Sequence, residues 1–374
     1  MNFFNLFYVE PAIIICIAAA WLIDLVIGKP RFIPQPSRLI GLLLRYTGAQ
    51  LCVVCAKLSA KKPQSKELYE RRAAVVLAVY LVLFSFIASA VLLDCARSVH
   101  PALYYLLNTY LLYTVISVRK PADEAYKVLA SLKKGEISKA YSQLSALEKY
   151  ECSTPNDSVT PANAPESAII RTAVSAIAER TIDSTVSPLF YIAAGSLLGV
   201  AAPLATAFSA VCILENFSSK PEESAAEVQD PQKEAPPTTG SSPGKSQSFG
   251  LFSFGSRLYI AANYIPARIC GLLVPAASFF CTFGFQRSFH TVRRDSQNYM
   301  EPNSAQSAAA YAGALNIQLG GDCFYRSTPV CKPTVGDDGR IPEPDDIKAA
   351  VKIMATASTI LMLLLGILLF QFHR

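Results

Sequence analysis

The sequence predicts an all-α, polytopic helical membrane protein, and three observations carry that prediction. Hydrophobic residues make up 52% of the 374 residues and charged residues only 17%. The apolar residues gather in long runs instead of alternating with polar ones. Some of the stretches between those runs carry charge at helical spacing, which describes amphipathic helices lying on a membrane face.

The runs at 11–28, 73–93, 102–118, 186–214, 264–285 and 350–370 reach or approach the roughly 20 residues that a spanning helix needs. They predict about five or six membrane helices or hairpins. No basic residue precedes the first run, the first being Lys29, so the positive n-region of a cleavable signal is missing and the run is expected to stay as a helix. Residues 29–72 set many lysines and arginines against only Glu67 and Glu70, which predicts a basic cytoplasmic loop with the N-terminus outside. The net charge of +6 is therefore read as topology and attraction to anionic lipid, not as nucleic-acid binding.

Within this frame the ionisable residues are few. Asp24 falls in the last turn of the first run, and a carboxylate inside a membrane is a functional candidate, with Lys29, Arg31 or Arg38 as its partner. Pro30, Pro34 and Pro36 then force an extended connection. Residues 119–185 form a cytoplasmic helical segment. In it, 122–151 alternates charge with leucine, and 166–178 places apolar residues at helical spacing, so that Glu179 and Asp183 share one face if the helix continues.

The uncharged run that follows carries Pro203 and the run at 264–285 carries Pro275. If the polar stretches on either side of these runs share one side of the membrane, both runs are expected to bend back as hairpins, near Pro203 and near Pro275. Gly195 and Gly199 have the spacing of a close helix contact. Residues 218–250 are rich in Ser, Pro, Glu, Gln and Gly and predict a disordered insert; its Gly240–Ser246 imitation of a phosphate loop has one residue too few between the glycines. The polar cytoplasmic segment 286–349 offers Arg293, Arg294 and Asp295, backbone amides at Gly320 and Gly321 for phosphate, and Lys332 with the turn at 335–339 for charge or Mg²⁺; a last membrane helix occupies 350–374. Of ten cysteines, Cys16, Cys212, Cys270 and Cys281 sit in apolar runs as small hydrophobes, and Cys52 and Cys55 are expected as buried thiols on a helix.

Several stretches, in order, resemble the CobD/CbiB family of adenosylcobinamide-phosphate synthases. They are the proline-rich opening at 24–41, Ala178-Glu-Arg-Thr-Ile-Asp-Ser-Thr-Val-Ser-Pro-Leu-Phe190 beside the family's A-E-N-T-x-D-G-x-x-A-P-L-F, and Ala262-Asn-Tyr-Ile-Pro-Ala-Arg268 beside its A-N-x-x-P-A-R. Glu301-Pro-Asn303, the glycine-rich 312–321, Lys332-Pro-Thr-Val-Gly336 and Pro344-Asp-Asp-Ile347 complete the set. The resemblance covers nearly the whole chain. It implies a protein of a bacterial or archaeal cytoplasmic membrane that uses ATP and Mg²⁺ to join adenosylcobyric acid to an aminoalcohol phosphate, working beside other cobamide-assembly proteins.

On that resemblance the candidate catalytic residues are Glu179, Asp183 and Lys332. The candidate substrate-binding residues are Asp24, Arg38, Asn263, Arg268, Asn303, Gly320 and Gly321. The chain departs from the family pattern at Gln35 (His), Arg180 (Asn) and Tyr259-Ile260 (Asp-Asp). Two readings therefore stay open: a membrane amide ligase acting on a corrinoid, and a catalytically silent relative that binds corrinoid or partner proteins.

Overall fold

The computed structural model describes residues 10–30, 33–61, 66–144, 147, 152–153, 165–219, 247–282, 284–297, 302–325 and 328–372. Helix α1 (Pro11–Ile27) opens with proline in its first turn, where the missing N–H is not needed, and stops at Gly28, whose φ of +70° closes the last turn onto the Asp24 carbonyl. After the proline-rich connection come α2 (Pro36–Lys61), α3 (Lys66–Val99) and α4 (Pro101–Val115), the last capped by the His100 imidazole, which accepts from the Ala102 N–H.

Helix α2 corrects the reading of 29–72 as a loop. Pro36–Leu58 is long and apolar enough to cross a membrane, and it turns Leu39 and Tyr46 outward at 70% and 68% exposure. Its few basic residues are spread over 26 positions, so a count of charge finds a basic loop where the spacing permits an apolar helix. Leu68–Val99, Tyr264–Cys281 and Pro344–Gln371 also have the length and apolarity to span. Pro11–Ile27 and Ala201–Asn216 are shorter apolar helices.

Amphipathic helices α5 (Arg119–Lys133) and α6 (Ile137–Leu144) follow, α5 burying Ala125, Val128, Leu129 and Leu132 on one stripe. Helix α7 (Glu166–Thr181) runs through a π-helical turn (Ile182–Val186) into α8 (Ser187–Leu197), which packs on α9 (Ala201–Ser219). The expected bend in this apolar run is present, but at Leu198–Val200 and not at Pro203. Gly199 takes φ +72° there, and a Cβ on Gly195 would lie 2.8 Å from the Ala201 Cα. Pro203 sits in the first turn of α9, where its missing N–H costs nothing.

Helix α10 (Gln247–Ala262) packs on α9, α11 (Tyr264–Cys281) follows at once, and then come α12 (Phe285–Asp295) and α13 (Pro302–Leu315). No break occurs in α11: Pro275 lies inside one continuous helix, so the second expected hairpin is absent. Cys52 lies on helix α2 as expected but is exposed rather than buried. Within the insert expected at 218–250, residues 220–246 lie outside the described residues, and 247–250 already belong to α10.

Strands β2 (Leu319–Tyr325) and β3 (Thr328–Val335) form an antiparallel hairpin, with the short β1 (Cys152–Ser153) paired to β2. Helix α14 (Pro344–Gln371) ends the fold. Its capping box joins Glu343 and Asp346, and Arg340 holds Asp346 through both guanidinium nitrogens. One large core is shared by α1, α4, α5, α7, α8 and α11–α14, and a second, smaller core by α2, α3 and α9.

Candidate active site

The π turn is the hub, and Pro188 explains it. In an unbroken α-helix the residue at 188 would donate its N–H to the Ser184 carbonyl. Proline has no N–H, and its ring would crowd that carbonyl. The chain widens instead: the Ser187 N–H reaches back to the Ile182 carbonyl, an i→i−5 bond, and the freed Ser184 carbonyl accepts from the Ser117 N–H at 2.9 Å. The α4–α5 connection is thereby tied to the turn.

Four of the expected residues converge beside it. The Tyr259 hydroxyl donates to the Asp183 carboxylate, and the Asn263 side-chain amide approaches the same oxygen at 3.5 Å. Asn263 is wholly buried between α10 and α11, and its carbonyl oxygen accepts from the Ser187 hydroxyl. One turn along α11, Arg268 donates to the Asn303 side-chain oxygen at 3.0 Å, and Asn303 in turn donates to the Ile260 carbonyl at 2.7 Å. The Arg268 guanidinium also lies on the Tyr264 ring, 3.5 Å from its centroid. On the other side of the turn, Thr181 and the fully buried Tyr311 share a hydroxyl hydrogen bond of 2.9 Å. Glu179 is half-buried one turn before Asp183, so the two carboxylates do lie along one polar stripe of α7 with Arg171 and Ser175.

Asp24 stands one layer away. It is fully buried, caps α5 by accepting from the Val118 and Arg119 N–H groups at 2.6 and 3.2 Å, and faces Lys29 at 3.6 Å. Lys29 donates to the Tyr113 carbonyl and lies over that ring; burial pushes its ammonium down to about 8, with Asp24 opposing. Since Ser117 bonds Ser184 while Val118 bonds Asp24, the connection 116–119 links the Asp24 pair to the π turn.

The remaining expected residues lie elsewhere. Arg38 is exposed in the first turn of α2, whose packing partners are α3, α9 and α10. Gly320 and Gly321 lie in strand β2, not in a turn. Both have positive φ, at a register irregularity, and a Cβ on Gly320 would run into the Pro333 carbonyl. That close backbone approach explains glycine there without a ligand. Lys332 is paired with Gly321 in the strand register. At the turn after β3, Asp337 pairs with Arg294, which holds the Asp295 carboxyl below its usual range; the Gly336 N–H assists by donating to Asp295 at 2.8 Å.

A sequence profile of the CobD/Cbib protein family matches residues 17–216 and 240–354. The chain belongs to the CobD/Cbib family. It is 30% identical over 345 residues to the cobalamin biosynthesis protein CobD of Citrobacter koseri, covering 92% of this chain and 94% of that protein. It is equally similar to the cobalamin biosynthesis protein CbiB of Salmonella typhimurium, at 30% over 346 residues. The CobD protein of Klebsiella pneumoniae matches at 30% over 349 residues, 93% of this chain and 95% of that one. No solved structure matches the chain.

The gap in the profile, 217–239, falls in the serine- and proline-rich segment, as an insertion into the CobD/Cbib pattern would. Sequence reading missed three contributors. Tyr259 is visible only as a departure from the family's acidic pair, Ser187 looks like one more residue of an apolar run, and Ser117 acts through its backbone. Pro188 within a helical pattern was the available signal for the π turn.

Proposed function

We propose that this CobD/Cbib-family protein acts in cobalamin biosynthesis as a membrane-bound ligase. It would use ATP to activate a side-chain carboxylate of adenosylcobyric acid, and the amine of an aminoalcohol phosphate, aminopropanol or ethanolamine phosphate, would displace phosphate to leave an amide. The observation that supports this reading is the pair of neighbouring hydrogen-bonded sets, Asp183–Asn263 and Arg268–Asn303–Ile260. It gathers residues from three separated sequence motifs onto one side of the π turn.

Among the described residues no three His, Cys, Asp or Glu side chains group as a metal site. Mg²⁺ that arrives on a nucleotide takes most of its ligands from phosphate and water and needs only one or two carboxylates, which Glu179 and Asp183 fit. When bound, Mg²⁺–ATP supplies the activated phosphoryl group. Arg268, held by Asn303 and the Tyr264 carbonyl, offsets phosphate charge. Of the two carboxylates, Asp183, fixed by Tyr259 and Asn263, would hold the Mg²⁺, which leaves Glu179 to accept the proton that the attacking ammonium must lose.

One observation favours the silent alternative: the Tyr259 hydroxyl occupies the Asp183 carboxylate where the family pattern has two acidic residues. The deciding experiment supplies purified protein with ATP, adenosylcobyric acid and aminopropanol phosphate. Amide product that falls at least tenfold in both Glu179→Gln and Asp183→Asn supports the ligase, and corrinoid binding without product supports the alternative.

A further inference from the structure

Helix α12 packs with its aromatic residues outward. The stripe it buries is Ser288, Thr291, Val292 and Asp295, while Phe285 and Phe289, one turn apart, stay 42% and 37% exposed with their rings stacked at 6.1 Å. The contact with α13 sets this orientation. Ser288 donates to the Ala310 carbonyl at 2.7 Å, and a Cβ on Gly313 would fall 2.7 Å from the Ser288 Cα. Backbones that close leave no room for a phenyl ring between them. The phenylalanines therefore cannot turn inward without parting α12 from α13.

The outward face is also basic. Arg287, His290 and Arg293 are exposed, and neither arginine has an acid within ion-pair distance among the described residues. Asp295 points inward, and Arg294 holds both it and Asp337, at 2.6 and 2.7 Å. Arg293 follows Phe289 by four residues, so ring and guanidinium share one row of the helix. The face stands at a membrane boundary. The α11–α12 corner is pinned at Cys281, whose Sγ meets the Thr356 hydroxyl of α14 at 3.3 Å. The last charged residue of α14 is Lys352, and 353–371 carry no charge. That contact therefore lies four residues, about 6 Å, into the uncharged stretch. Phe280, in the last turn of α11, is 69% exposed.

We propose that the outer face of α12 lies on the membrane surface and binds anionic phospholipid. Phe285 and Phe289 enter the acyl boundary, and Arg287 and Arg293 meet headgroup phosphates. A zwitterionic headgroup brings a phosphate but also a cation, for which this face has no carboxylate; a headgroup with net negative charge fits best. A second copy of the chain packed here across a two-fold axis would set arginine against arginine. The proposal is independent of the ligase reading, since α12 contributes no residue to the hydrogen-bonded sets beside the π turn.

The test reconstitutes the full chain carrying Phe289→Trp in mixed bilayers of dioleoyl-phosphatidylglycerol and dioleoyl-phosphatidylcholine, with bromine on the acyl chains of one lipid at a time. The parent, whose single tryptophan is Trp21, supplies the background fluorescence. The expected result is that brominated lipid quenches the added indole, with a preference of about fivefold for phosphatidylglycerol over phosphatidylcholine. That preference is lost when Arg287→Gln and Arg293→Gln are added together. Both arginines are on the surface, so the variant folds. Three results overturn the proposal. Quenching by aqueous iodide and not by brominated lipid puts the face in water. Quenching by neither, with a dimer in native mass spectrometry, puts a second copy on it. Equal quenching by the two lipids, or a preference unchanged in the double-arginine variant, takes the anionic headgroup away.

Discussion

Replacing Asn303 with leucine tests whether the convergence beside the π turn also holds the fold together. Asn303 is 5% exposed and makes two bonds at once, accepting from Arg268 at 3.0 Å and donating to the Ile260 carbonyl at 2.7 Å. Leucine keeps nearly the same volume and deletes both. A bond to a charged partner contributes about 1.5–3 kcal/mol and a neutral one about 1 kcal/mol. Arg268 would keep the Tyr264 carbonyl and ring, so its share falls at the low end. The expected loss is then about 2–4 kcal/mol. Asn303→Asp retains the acceptor for Arg268 and loses only the donor, so it should cost less than the leucine variant. Arg268→Met combined with Asn303→Leu completes a cycle, with a coupling of about 1 kcal/mol or more expected for residues in contact. Unfolding in mixed detergent micelles supplies the free energies. Losses under about 0.5 kcal/mol in Asn303→Leu, or additive behaviour in the cycle, would show that these contacts do not hold α11 against α13.

Gly313→Ala should destabilise by about 1–3 kcal/mol or more, since its Cβ would fall 2.7 Å from both the Arg287 carbonyl oxygen and the Ser288 Cα of α12; wild-type stability in the same micelle assay would contradict that packing. Asp295 titrates lower when folded than its ordinary value near 3.8, chiefly because Arg294 bonds it. Below that value the unfolded chain binds more protons, so this contribution is complete above about pH 4 and fades as pH falls further. Asp295→Asn should therefore be less stable than the parent at pH 7, with the gap narrowing in acid; a gap that does not change with pH rules the mechanism out. Deleting 220–246, whose composition lacks the apolar residues for a core, should leave the melting temperature within about 2 °C of the parent. The flanking helices α9 and α10 pack directly, with Gly255 against Leu214, so a large drop would mean that the insert itself is structural.

The sequence made the long apolar helices legible because their signal is length, and α7 legible because Ile169, Ile170, Ala173, Val174 and Ile177 repeat at helical spacing. Asp183, Asn263, Arg268 and Asn303 were legible one at a time through the family resemblance, but their meeting depends on how α7, α11 and α13 pack, which no local pattern encodes. Helix α2 was misread because its arginines and lysines were counted rather than placed. Prolines were weighed too evenly: Pro203 and Pro275 were expected to bend the chain and do not, while Pro188, given no weight, reshapes its helix. Position separates Pro203, in the first turn of α9, from Pro188 in the middle of a continuous run; Pro275 lies inside α11 as well, and nothing in the structure explains why that helix keeps its course.

The π turn works as a phase shifter. Up to its start, the half-buried polar stripe of the rod runs Arg171, Ser175, Glu179, Asp183, and a regular helix would carry that stripe onward through Ser187. The turn holds one extra residue per turn, which amounts to a rotation of about 100° in an α-helix, and Ser187 emerges with no exposure at all. A single rod thus passes from a half-wet environment to a buried one with no loop, cap or exposed backbone between. It follows that deleting one residue from 182–186 would not simply shorten the rod. It would turn everything beyond it, from Asn263's partner Ser187 to the α8–α9 bend, onto the wrong face.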